Sequence, residues 1–435
     1  MTEHFHFQNL LKKIKKHNIK VGIVGIGYVG IQLLIQFCSK KIFTIGFDKD
    51  KKKINKLKKG ISPYSYISNT SIRPIKLFSA FSNNYEKIKF CDVIIICLPT
   101  PIKKNTKPDL SVIEKTVKKI EKYLKKGQLI ILESTTYPGT TKEIIGKKLS
   151  RFKIGENIFL AYSPERENPG GKVPFYNITK ISSGFSNKCS VLSKLIYKKI
   201  VKNVVTASSL EEAEMTKLLE NIYRSVNIGL VNELKMISKE MGIDINKVIK
   251  LASTKPFGYK PFFPGPGVGG HCIPIDPYYL YWRAKKFGQE AKFIKLAGDI
   301  NIETTNWTVK NTIKILHGTK SKKRKKVLVL GVAYKKNIED IRESAAIKII
   351  DNLRKKNFLV HFSDPHINLK GDKHLQKIIG RSKLIEINKK NLLNYDCVIL
   401  VTDHDDFDYK LITRYSKILI DTRNRLNRKE NFYKL

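Results

Sequence analysis

The run Lys20-Val21-Gly22-Ile23-Val24-Gly25-Ile26-Gly27-Tyr28-Val29-Gly30 limits what this chain can fold into more than any other segment. Its first half is a short apolar run, as expected of a strand buried on both faces. Gly25, Gly27 and Gly30 have the spacing GxGxxG, and GIQLLIQFCSKK then carries apolar residues at helical intervals. The next apolar run, FTIGFD, ends in Asp48. A strand, a glycine turn, a helix and a strand-end acid together fit a dinucleotide. The glycines allow a tight turn and bring a pyrophosphate to the helix N terminus. The acid accepts a hydrogen bond from a ribose 2′-hydroxyl, which favours NAD over NADP. On this reading Gly25, Ile26, Gly27, Tyr28, Val29, Gly30 and Asp48 bind the cofactor, with Lys53 just beyond included. A glycine turn that serves only packing is the competing reading.

Further strands are expected in CDVIIICLP and GQLIILEST, with helical patterns between, and more weakly over residues 157–206. A second strand–helix series begins at VLVLGVAY after the basic linker KSKKRKK and continues through NFLVHFSD, DCVILVT and SKILIDT. Strands alternating with helices predict doubly wound parallel sheets. Between the two series, residues 211–242 keep helical spacing without a proline, residues 255–270 form a Pro/Gly/aromatic loop, and residues 277–316 read as helical. The fold expected is α/β, with two Rossmann-like domains joined by a long central helix and a helical middle domain. For 435 residues we expect a helical lead-in over 1–19, an NAD-binding domain over 20–206, a central helical domain over 207–317 and a second Rossmann-like domain over 318–435. The long helix is expected to carry a homodimer or higher homo-oligomer interface.

Lysine and arginine total 83 against 38 acids, a formal net charge of +45. The lysines are spread along the whole chain at the edges of apolar segments, and no nucleic-acid recognition module accompanies them. They read as solvated faces, so no nucleic-acid partner is expected, although the charge favours an anionic substrate. No apolar run reaches the length of a membrane span, and the N-terminal segment lacks the features of a signal peptide. A cytoplasmic protein without a membrane partner is expected. None of the six cysteines forms a CxxC pair, so no metal site is expected.

Cys272 is set apart from the other cysteines by its loop, Pro264-Gly265-Pro266-Gly267-Val268-Gly269-Gly270-His271-Cys272-Ile273-Pro274-Ile275-Asp276. Glycines bare the backbone to a ligand. A cysteine there can act as a nucleophile and Asp276 can position a water or a proton; a buried loop cysteine with a capping aspartate fits equally. Lys217 and Asn221 share a face of the long helix. Tyr162-Ser163-Pro164-Glu165-Arg166-Glu167-Asn168-Pro169-Gly170 and Glu133-Ser134-Thr135-Thr136 follow expected strands, where open α/β sheets bind ligands. Solvated helix face and surface loop remain the plainer readings of these three segments.

Together these residues resemble the UDP-glucose/GDP-mannose dehydrogenase family, from the glycine turn to Asp421-Thr422-Arg423. GGHCIPIDPYYLYWRA, SPERENPG and ESTTYPGTT look most like its UDP-N-acetylglucosamine 6-dehydrogenase branch. The resemblance implies NAD-dependent oxidation of a sugar C6 alcohol to a carboxylate, with UDP-glucose or an epimeric UDP-N-acetylhexosamine as the alternative substrate. It implies that Cys272 forms a thiohemiacetal and then a thioester, for surface polysaccharide synthesis. Lys217 and Asn221 would stabilise oxyanion charge, Asp276 would assist proton transfer, and Glu165 would act in the hydrolysis. Thr100, Thr135 and Arg342 match positions that contact NAD. Lys335, Arg423 and the loop from Tyr259 to Gly267 match positions that hold the UDP-sugar, and the substrate set includes Glu165, Arg166, Lys217, Asn221 and Lys260. Relatives commonly carry aspartate where this chain has Asn168, and a second glutamate where it has Pro169.

Overall fold

A computed structural model describes residues 2–64, 67–103, 106–167, 171, 173–317, 324–369, 376, 378–426 and 431–435. Asn168, Pro169 and most of the KSKKRKK linker lie outside these residues. The chain divides into two compact units, Met1–Glu220 with Tyr278–Glu290, and Asn221–Pro277 with Ala291–Leu435.

The first unit is built on an eight-stranded sheet. Its strands are β1 (Lys20–Val24), β2 (Phe43–Phe47), β3 (Ser79–Ser82), β4 (Val93–Ile96), β5 (Leu129–Leu132), β6 (Phe159–Tyr162), β7 (Lys180–Gly184) and β8 (Val204–Thr206). They lie in the order β3-β2-β1-β4-β5-β6-β7-β8, parallel except where β7 runs against β6. VIII, LIIL and FLAY are buried along their whole length, because helices cover both faces of such a sheet. Among those helices are α1 (Thr2–Lys15), α2 (Tyr28–Ser39), α3 (Lys51–Lys58), α4 (Arg73–Phe78), α5 (Ser111–Glu121) and α6 (Asn187–Tyr197). Leu10 and Ile14 of α1, Leu33, Leu34 and Phe37 of α2, and Leu192 and Ile196 of α6 join one core with the strands. Strand order reverses between β1 and β4, so the crevice for a ligand opens at their C-terminal ends.

α7 (Leu210–Glu240) is a single helix of 31 residues, followed by α8 (Ile245–Ala252). The segment expected to be helical over 277–316 forms two helices, α9 (Asp276–Lys286) and α10 (Lys292–His317). Gly288, with φ 71°, ends the first in a conformation only glycine adopts readily.

The second unit holds a five-stranded parallel sheet of β9 (Lys326–Leu330), β10 (Leu359–Ser363), β11 (Cys397–Leu400), β12 (Leu419–Asp421) and β13 (Phe432–Lys434), in the order β10-β9-β11-β12-β13. Its core joins Val327 and Val329 to Ile349, Ile350 and Leu353 of α11 (Ala345–Lys355) and to Val309 and Leu316 of α10. β3 and β13 carry no strand pattern in the sequence; each is short and paired at a sheet edge.

Candidate active site

The glycine turn sits in the crevice of the first sheet. Gly25 has φ 96°, and a Cβ on Gly30 would lie 2.0 Å from the Gly25 carbonyl oxygen. These two glycines are therefore required by the turn itself. Gly27 is different: a Cβ there would meet nothing within 4 Å. Its lack of a side chain leaves open space at the start of α2, which begins with no side-chain cap. That is the geometry of a pyrophosphate cradle. Asp48, after β2, accepts from the Ile26 N–H at 3.0 Å and from Lys53 Nζ at 2.9 Å through Oδ2, and from the Asp50 N–H at 2.9 Å through Oδ1. A carboxylate with about four acceptor sites keeps room for a ribose hydroxyl. Tyr64, which sequence reasoning missed, donates to the Ile26 carbonyl at 2.9 Å and packs its ring 4.9 Å from that of Tyr28. At the ends of β4 and β5, the Thr100 hydroxyl donates to the Thr135 carbonyl at 2.8 Å. The residues present fit NAD.

Glu165, beyond β6, belongs to a buried ionic cluster. Its Oε1 accepts from the N–H groups of Arg166 at 2.7 Å and Glu167 at 2.6 Å, and its Oε2 from Lys180 at 2.7 Å. Lys180 also donates to Glu133 at 3.0 Å, and Glu133 accepts from the Tyr197 hydroxyl. Burial works against the charge of Glu165, but Lys180 and these hydrogen bonds outweigh it and hold the carboxyl below its ordinary range. Burial raises Glu133 to about 7, and burial with the neighbouring Glu165 raises Glu167 to about 8. Lys217 is buried and donates to the Glu165 backbone carbonyl. Arg166 is held by Glu220 at 2.7 Å and the Thr179 carbonyl at 2.7 Å, so its guanidinium anchors its loop. Lys180 stands alone among polar residues in KISSG, and no pattern signals its role.

The second unit brings together the other set. Cys272 lies in a turn whose carbonyl accepts from Asp276 N–H at 2.8 Å, the first residue of α9. A helix N terminus favours negative charge beside it. Asn221, fully buried, donates to the Asp276 carboxylate and accepts from Arg224. The glycines of the cysteine loop allow close packing: a Cβ on Gly270 would lie 2.7 Å from the Tyr334 ring and one on Gly269 2.8 Å from Tyr334 Cβ. Burial, then Asp340 and Cys272, push the Tyr334 hydroxyl up to about 12. Lys335 follows Tyr334, and burial together with Arg224 lowers its pKa. Arg342 pairs bidentately with Asp340 at 2.6–3.0 Å, and its carbonyl accepts from Gly270 N–H at 3.0 Å. Arg423 lies against Gly265, where a Cβ would approach its guanidinium to 2.7 Å. Gly267, with φ 125°, packs on Thr305, whereas Tyr259 and Lys260 are exposed on the outer part of the loop.

The second sheet repeats the first turn. Gly331 N–H donates to the Ser363 carbonyl at 2.8 Å, as Gly25 N–H does to Phe47. Asp364, after β10, accepts from Val332 and Ala333 N–H at 2.7 and 3.0 Å. Here the acid is capped by buried His404, whose Nε2 lies 3.1 Å away. His404 Nδ1 accepts from Asn337 N–H at 2.9 Å, which leaves Nε2–H to donate to Asp364.

Among the described residues, no helix is long and apolar enough to cross a membrane. The chain matches the UDP-glucose/GDP-mannose dehydrogenase family's NAD binding domain over residues 19–201, its central domain over 211–303 and its UDP binding domain over 328–428. It is 34% identical over 400 residues to a UDP-N-acetyl-D-glucosamine 6-dehydrogenase of Pseudomonas aeruginosa, covering 90% of this chain and 92% of that one. It is 32% identical to a UDP-N-acetyl-D-mannosamine dehydrogenase of Methanococcus vannielii, over 96% of each. The solved UDP-D-ManNAc dehydrogenase of Pyrococcus horikoshii superposes with a TM-score of 0.84 at 28% identity, covering 96% of this chain and 99% of that one.

Proposed function

This chain belongs to the UDP-glucose/GDP-mannose dehydrogenase family of NAD-dependent oxidoreductases, and from that premise we propose that it oxidises the C6 hydroxyl of a UDP-N-acetylhexosamine to the carboxylate. NAD supplies the hydride acceptor, two equivalents per sugar. Cys272 adds its sulfur to the C6 aldehyde, which retains the intermediate and yields a thioester carbonyl at the next oxidation level. Water then displaces the sulfur, giving the acid and regenerating the thiol. Asp276 takes or positions the proton, oriented by Asn221. Glu165 serves the hydrolysis, and Lys217 holds its loop by the carbonyl bond. Lys335 and Arg423 match the diphosphate in charge, a role suited to cations. The observation that carries this reading is the Cys272 turn running straight into α9, with Asp276 gripped by Asn221.

UDP-N-acetylglucosamine is the substrate we propose first, supported by HCIPIDP and SPERENPG and by the P. aeruginosa relative. UDP-N-acetylmannosamine is the second reading, favoured by the likeness to the P. horikoshii structure. NADH formation across UDP-N-acetylglucosamine, UDP-N-acetylmannosamine, UDP-glucose and GDP-mannose decides between them, and absence of turnover with all four refutes the proposal. The product suits surface polysaccharide synthesis, and the cytoplasm is the compartment proposed. We further propose that residues 207–317 act as a central domain and that α7 carries a homodimer interface. Its Leu219, Leu230, Ile237 and the adjacent Met241 are each more than half exposed. Only monomer in sedimentation at micromolar protein refutes the interface.

A further inference from the structure

Lys235 is a lysine in an unusual place. It lies on α7 with 5% of its surface exposed, and its Nζ donates to the Gly265 carbonyl at 2.7 Å. Its ammonium sits 5.0 Å from the centre of the Trp307 ring. No acid pairs with it among the described residues; the charged groups facing it are Arg423 and Lys239, both cations. One turn earlier on the same helix, Asn232 Oδ1 accepts from Gly265 N–H at 3.0 Å. Asn232 is itself oriented by Asn301, and Asn301 by the Ser225 carbonyl. Gly265 is thus gripped at both its N–H and its carbonyl from one helix face, while Arg423 presses where its side chain would be.

We propose that Lys235 is a positioning residue for substrate binding: by holding the Gly265 carbonyl, it fixes the Pro264–Gly267 segment against Arg423 in the shape that receives the sugar diphosphate. This rests on the reading of that loop as part of the UDP-sugar site. A buried carbonyl is satisfied by few alternatives, so loss of its donor loosens the segment. The charge of Lys235 matters as well. Burial, then Arg423 and Lys239, push it down to about 7. Below that value the ammonium makes a charge-assisted bond and adds to the field that attracts a dianion; above it, both are lost. The diphosphate diester of a UDP-sugar does not titrate in this range. The KM for the sugar nucleotide therefore rises with pH through about 7, while the KM for NAD does not.

The test is steady-state kinetics of wild type, Lys235→Met and Lys235→Gln between about pH 6 and about pH 8.5, with saturating NAD and thermal melting as a folding control. At about pH 6 the Met variant should raise the KM for the UDP-sugar roughly tenfold, with kcat and the KM for NAD within about threefold. The Gln variant keeps a donor and should recover part of the affinity; if the Met variant does not fold, this one carries the test. In both, the pH dependence of the sugar KM should be flat. A folded variant with wild-type sugar KM and pH dependence overturns the proposal, as does a loss confined to kcat. If wild type turns over none of the UDP-sugars, the functional reading has failed separately. Calorimetric titration with UDP then decides: equal affinity in wild type and Lys235→Met refutes the positioning role, and weaker affinity in the variant supports it.

Discussion

Replacing Lys180 by methionine removes the one cation that, among the described residues, is bonded to both buried carboxylates, Glu133 and Glu165. Methionine fills most of the same volume, so packing is nearly kept and the charge is lost. Breaking a buried ion pair by deleting one partner costs about 3–5 kcal/mol. For a unit of this size about 1 kcal/mol shifts melting by roughly 2–4 °C, so a fall of roughly 6–20 °C is expected near pH 8. The pH dependence is the sharper signature. In wild type Glu165 is held below its ordinary value and contributes stability that is lost only as pH falls through the folded value. In the variant, Glu133 and Glu165 face each other without Lys180: Glu133, already raised in wild type, rises further, and Glu165 rises from its lowered value. A raised acid costs stability as pH climbs past the unfolded pKa, by about 1.4 kcal/mol per pH unit per proton. The gap between variant and wild type should therefore be small near pH 5 and widen towards pH 8. Scanning calorimetry at both values measures it. A fall of less than about 3 °C at pH 8, or a gap that does not change with pH, would show that the cluster does not depend on Lys180.

Cys272→Ala should bind NAD and UDP-sugar yet form no acid, while wild type makes two NADH per sugar without free aldehyde; a folded alanine enzyme with near wild-type turnover removes Cys272 from the chemistry. Asp48 faces the cofactor ribose on our reading, so kcat/KM with NAD should exceed that with NADP by about tenfold or more, and equal values contradict its role. Glu214, buried and accepting from Gly139 N–H and from the N–H and hydroxyl of Thr141, is raised by burial to about 7. Being raised, it contributes a loss of stability as pH climbs from about 4.5 to about 7. The melting temperature of Glu214→Gln should fall less over that interval than that of wild type; parallel curves refute this.

Both sheets were legible in the sequence wherever a strand is buried on both faces. Apolar runs such as VIII and LIIL have no other way to be satisfied. Edge strands such as SAFS and FYK pair on one side only and carry no such mark. The glycine turn was legible because Gly25 and Gly30 are dictated by sterics, which leave a fixed spacing. Lys180, Lys235, Tyr64 and Glu214 were not legible. Each acts through a partner at least 15 residues away in sequence, as Tyr64 does on Ile26 and Glu214 on Gly139. A lone lysine on a helix or strand reads as solvent-facing until the fold surrounds it. Arg166 is also held from a distance, by Glu220 and the Thr179 carbonyl, contacts that its loop motif does not signal.

The second sheet keeps the strand-end acid of the first but gives it other work. Asp48 leaves acceptor capacity toward the crevice, whereas Asp364 is sealed by His404, which in turn ties down Asn337. The seal sets an order for any evolutionary route from this domain to a second dinucleotide site. His404 would have to go first, and its departure would release the Asn337 end of the turn, while Asp364 still held the Val332 and Ala333 N–H groups at the other. The intermediate would be less stable and no more useful than its parent. One histidine thus makes the repeated scaffold asymmetric: the first acid keeps acceptor capacity, and the second is committed to holding its own loop.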